Sequence, residues 1–127
     1  MLFEVESKKT IDQVCQDLEK AVVAHKFGVM TVHNLKETMN KKGVPFEREC
    51  RIFEVCNPHQ AKKVLEREME ISTALPCRIS VYTEGDKVKL ATLKPTVLVS
   101  QFNSPDLQPV AKEVEEILIQ IMKEASL

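Results

Sequence analysis

The stretch Phe53-Glu54-Val55-Cys56-Asn57-Pro58-His59-Gln60-Ala61 admits few local structures. Phe53 to Val55 favour a strand, and Asn57 followed by Pro58 ends it and opens a helix. Asn is a strong N-cap, and Pro suits the first helical position, where its missing N–H costs nothing. Strand and helix are therefore joined almost without a loop. Cys56 stands at the carboxyl end of the strand, just before a helix N-terminus. Helix dipoles and free backbone N–H groups make such a place favourable for anions and thiolates.

The rest of the chain alternates strands and helices around this junction. Leu2 to Glu6 alternates, with Phe3 and Val5 on one face, and predicts a first strand. Thr10 then caps a helix whose stripe is Ile11, Val14, Cys15, Leu18, Ala21 and Val22, with Gln13 at the capping-box position. Phe27 to Leu35 reads as a second strand. It is apolar on both faces, which predicts a place inside the sheet or under a partner chain. Asn34 and Glu37 have capping-box spacing and open a short polar helix through Lys42, ended by Gly43 and Pro45. Glu49 to Cys56 is the third strand. The helix from Pro58 to about Met69 turns Ala61, Val64, Leu65 and Met69 inward. Cys77, Ile79 and Val81 alternate with polar residues, as do Val88, Leu90 and Thr92. Glu84-Gly85-Asp86 links these two runs as a hairpin. Lys94 to Val99 has strand-like β-branched residues, yet Pro95 favours a short helix start, and the helix is preferred. Asp106 opens the longest helix, with Leu107, Val110, Val114, Ile117, Leu118, Ile121 and Met122 on its apolar face and Ile119 off it.

This order, β-α-β-α-β-α-β-β-(α)-α, is too irregular for a doubly wound sheet. It predicts a two-layer α+β fold, a mixed or antiparallel sheet with helices mainly on one face, in one domain over residues 1–127. The 127 residues suffice for a real core. Net charge is -1, with 18 basic and 19 acidic residues interspersed and no Trp, which argues against a nucleic-acid surface. No apolar run approaches the roughly 20 residues that span a bilayer. The acidic start Met1-Leu2-Phe3-Glu4-Val5-Glu6 is unlike a signal peptide, so a cytoplasmic location is expected, with Cys15, Cys50, Cys56 and Cys77 as reduced thiols.

Phe53-Glu54-Val55-Cys56-Asn57-Pro58, then an amphipathic helix, then Leu75-Pro76-Cys77-Arg78-Ile79-Ser80-Val81-Tyr82, resembles the domain of unknown function family 302. The resemblance covers nearly the whole chain. It implies a small α+β domain that forms a homodimer, and it supplies no reaction and no catalytic residues.

Among chemical candidates, Cys56 is expected to be the nucleophile or sulfur carrier of a thiol-handling or redox-linked domain, with His59 assisting its ionisation. Asn57, Cys77, His33 and Glu54 complete the expected ligand site. Asn57 fixes the turn, and Cys77 is a resolving thiol if its strand neighbours the third. His33 joins the cleft if its strand end lies beside Cys56. Glu54 is either a half-buried carboxylate with a raised pKa or the cross-strand partner of Arg78. The alternative is a non-enzymatic dimeric domain that binds a small ligand or joins a complex, its cysteines merely packing. Cys56-x-x-His59 is half a metal motif at most, and no metal or cofactor is assigned. Expected partners are a second copy and a small ligand or sulfur-transfer partner, with neither nucleic acid nor membrane.

Overall fold

The computed structural model describes residues 1–127. Strands β1 (Leu2–Ser7), β2 (Gly28–Asn34), β3 (Cys50–Cys56), β4 (Cys77–Glu84) and β5 (Lys87–Leu93) form one five-stranded sheet in the order β1-β5-β4-β3-β2. Every neighbouring pair is antiparallel. Helices are α1 (Ile11–Ala24), α2 (Leu35–Lys41), α3 (Pro58–Arg67), α4 (Pro95–Val99) and α5 (Gln108–Ser126), with 3-10 turns at Met69–Ala74 and Pro105–Leu107. The fold is two-layer α+β as expected, with the sheet wholly antiparallel rather than mixed.

The capping residues act as the sequence predicts. Thr10 Oγ1 accepts from Gln13 N at 3.2 Å, and Asn34 Oδ1 accepts from Glu37 N at 3.0 Å. The Gln13 side chain does not return to the cap; it donates to Asp17 at 3.0 Å instead. Glu84 pairs with Lys87, so Gly85 and Asp86 close the hairpin, with Gly85 at φ 64°.

α1 and α5 cover one face of the sheet. Between them lies a core that includes Leu18, Phe53, Ile79, Leu90, Leu118 and Ile121, each at most 1 % exposed. Strand alternation sends Phe53, Val55, Ile79 and Val81 into this core and Ile52, Glu54, Ser80 and Tyr82 to the opposite face. A second, smaller core of Val64, Ile71, Val99, Leu107 and Ala111 joins α3, the Met69–Ala74 turn, α4 and α5.

Three sequence expectations are corrected. β2 is an edge strand, which excludes the interior place and leaves the other alternative, cover by a partner chain; it exposes Met30 (63 %) and Val32 (39 %). A β-bulge between Val29 and Thr31 interrupts its register, a common device on edges. Met69 is 68 % exposed rather than inward-facing, because Glu68 leaves the helical conformation (φ -152°, ψ 97°) and ends α3 before it. Ile119, placed off the apolar face of α5, is half-buried rather than exposed.

The α1–β2 link holds one strained residue. Phe27 N donates to Val22 O at 3.0 Å and Lys26 N to Val23 O at 2.9 Å, which places Lys26 in the left-handed region at φ 64°. A side chain there costs about 1 kcal/mol. Lys26→Gly is therefore expected to raise stability by about 0.5–1 kcal/mol in urea denaturation. A fall would mean that the lysine stem stabilises the turn by more than its strain.

Candidate functional site

The β3–α3 junction places Cys56 as predicted. Cys56 ends β3 opposite Gly28 of β2, and Cys77 begins β4 opposite Val55. The two cysteines are thus one residue apart in register on neighbouring strands. Both line a small, partly open cavity of about 40 Å³, walled by Phe27, Gln60, Val64, Leu75 and Val114.

Cys56 also borders an open groove of about 660 Å³ at this end of the sheet. Gly28, Val29 and Met30 of β2 form one side. Pro58, Ala61, Lys62 and Leu65 of α3 form another, and Ser72, Leu75 and Pro76 complete it. The Leu75–Pro76 peptide bond is cis. Cys56, Ala61 and Leu75 wall both groove and cavity, so a few side chains separate the two.

The α3 N-terminus does not present the free amides that would hold a thiolate. Pro58 has no N–H. His59 N and Gln60 N donate to Asn57 Oδ1 at 3.0 and 3.2 Å, and Ala61 N donates to Asn57 O at 3.0 Å. The first turn is thus satisfied by Asn57 itself. Burial then dominates, and it pushes the Cys56 thiol above its ordinary range. Burial pushes Cys77 up to about 11, and the neighbouring Cys56 adds to the rise. Gln60 Nε2 donates to Glu113 at 3.1 Å, while its buried Oε1 has no partner on the cavity wall. An acceptor there favours thiols that keep their protons.

The other expected site residues are dispersed. His59 is exposed in the first turn of α3, and its ring makes no hydrogen bond to Cys56. His33 pairs with Ile52, four positions before Cys56 on β3, so it stands roughly 13 Å along the sheet from the thiol. There its Nε2 bonds Glu54 Oε2 at 2.9 Å. Arg78 lies opposite Glu54 and approaches it to 3.6 Å, the cross-strand contact expected from the sequence. The His33 hydrogen bond, aided by the charges of His33 and Arg78, holds the Glu54 carboxyl below the usual carboxylate range rather than raising it. His33, Glu54 and Arg78 form a surface cluster on the sheet face away from α1 and α5. Asn57 has a second role beyond its cap, since its Nδ2 donates to Lys26 O at 3.3 Å and ties the α3 start to the β2 entry.

Met30, Gln60, Lys62, Leu65, Leu75 and Pro76 emerge as site residues that sequence reasoning did not assign to it. A local signal existed on α3, where Pro58, Ala61 and Leu65 recur at helical spacing and line the groove beside the buried Val64. Leu75 and Pro76 stand in the Leu75-Pro76-Cys77-Arg78 motif, and Met30 had no such signal. No helix is long and apolar enough to cross a membrane.

No curated protein matches the chain. Among solved structures it is similar to the crystal structure of an uncharacterized conserved DUF302 protein from Bacillus stearothermophilus, with a TM-score of 0.93 at 30% identity over 98% of this chain and 97% of that one. The model of the family described as domain of unknown function DUF302 matches residues 3–125, and the chain belongs to that family.

Proposed function

We propose that this domain is a binding module for a small, mainly apolar molecule seated in the groove beside Cys56. One observation carries the reading: a groove of about 660 Å³, within the usual size of ligand sites, whose lining is largely apolar. Met30 is left 63 % exposed at its mouth, and covering it would remove apolar area from water. Cys56 is part of the wall in this reading, not a nucleophile.

An uncharged probe such as decanol is expected to raise the melting temperature, with stabilisation of about 2.7 kcal/mol at a hundredfold excess over its Kd. The response should vanish in Leu65→Asp, which puts a charge on the groove wall, and survive in Cys56→Ser. An absent response in the wild type, or an undiminished one in Leu65→Asp, would sink the reading.

A thiol-handling role for Cys56 has one observation in its favour, the cavity that it shares with Cys77. It requires Cys56 to ionise near neutral pH, and both burial and the self-capped helix work against that. Fast alkylation of native Cys56 at neutral pH would favour this second reading over the first.

A further inference from the structure

We infer that the groove selects an amphiphile with a single negative head, of the aliphatic carboxylate class. The inference deepens the binding reading above and rests on it. Lys62 is the one charged residue in the groove lining, and no carboxylate lines it. Ser72 is the one hydroxyl there. The remainder is backbone, apolar side chain and the protonated Cys56 thiol. An apolar tail with a cationic head would meet the Lys62 ammonium as a like charge. A neutral molecule would leave that ammonium only its exposed neighbour Glu66, whereas a carboxylate answers it with a charge-assisted hydrogen bond.

The ammonium is free to make that bond. Its present partner is Glu66 at 3.4 Å, one turn on along α3, with both side chains well exposed. Such a surface pair contributes little and is readily exchanged. Lys62 lies next to Ala61, which walls both groove and cavity. A head held at Lys62 therefore starts a tail along Ala61 and Leu65 toward Leu75, where the small adjoining cavity offers further apolar space.

Titration calorimetry with decanoate, decanol and decyltrimethylammonium tests this on the full chain, using wild type, Lys62→Gln and Lys63→Gln. Lys63 does not line the groove, so its variant carries the same loss of charge without the proposed contact. The expected result is that Lys62→Gln weakens decanoate about five- to tenfold, while Lys63→Gln changes it less than about twofold. Decanol should bind all three proteins alike. The preference for decanoate should shrink with added salt, because the head group is exposed. Equal decanoate affinity in wild type and Lys62→Gln, or tighter binding of decyltrimethylammonium than of decanoate, would overturn the inference and leave the binding reading standing. Binding of neither decanol nor decanoate would remove the binding reading itself.

Discussion

Native Cys77 is expected to alkylate at least about a hundredfold more slowly at pH 8 than the same cysteine in the urea-unfolded chain. A thiol with a pKa of about 11 has roughly one molecule in a thousand ionised at that pH, whereas an unfolded thiol near 8.5 has about a quarter. The same shift makes stability depend on pH. The folded state keeps a proton that the unfolded chain releases, so the unfolded state gains by ionising first. The contribution is fully present below the unfolded pKa and is lost as pH rises toward 11. Its size is about 3 kcal/mol, from roughly two pKa units at 1.36 kcal/mol each. The informative quantity is the difference between wild type and Cys77→Ala in urea denaturation, in which every contribution the two proteins share cancels. Between pH 8 and 11 wild type should lose about 2–3 kcal/mol more than the variant. Parallel losses, or Cys77 alkylation as fast as in the unfolded chain, would show that the thiol is not held protonated by its surroundings. Cys56 shifts in the same direction from burial.

Local chemistry was legible: the caps at Thr10, Asn34 and Asn57, the Gly85 turn, the helix begun by Pro95, and the strand that ends at Cys56. Each depends on residues a few positions apart. The expected gathering of His33 with Cys56 depended on something longer in range. Carboxyl ends of strands collect at one edge only where the strands run parallel. β2 and β3 are antiparallel, so the carboxyl end of β2 lies beside the start of β3, and His33 meets Glu54 and Ile52 instead. The thiolate expectation meets an obstacle of a different kind. It counted the amides of the α3 N-terminus as free, although the residue that makes the helix start, Asn57, also consumes them. Met30 and Val32 left two readings, an interior strand or cover by a partner chain, and the strand order excludes only the first. Apolar residues on both faces mark burial in a strand that has two neighbours, and β2 has one. Which strand ends up at the edge is a property of the whole chain and has no signature within seven residues.

Asn57→Ala is expected to lower stability by about 2–3 kcal/mol, more than a usual cap loss, because the side chain serves two elements at once. Its Oδ1 satisfies His59 N and Gln60 N, and losing a cap costs about 1–2 kcal/mol. Its Nδ2 also donates to Lys26 O, and that bond adds about 1 kcal/mol. Asn57→Asp separates the two contributions. A carboxylate keeps the acceptor and suits the helix dipole, but it has no N–H for Lys26 and brings a negative charge to that carbonyl. It should cost less than Ala, about 1 kcal/mol. The effect reaches the groove, since the first turn of α3 supplies Pro58 and Ala61 to it and Gln60 to the cavity. Fraying that turn opens both spaces, so Cys56 should alkylate faster in Asn57→Ala than in wild type at equal pH. Urea denaturation and alkylation followed by mass spectrometry measure the two effects on the same samples. Stability within about 0.5 kcal/mol of wild type would mean that water replaces Asn57 at both ends. The groove would then owe its shape to Leu75, Pro76 and the second core rather than to the strand–helix junction.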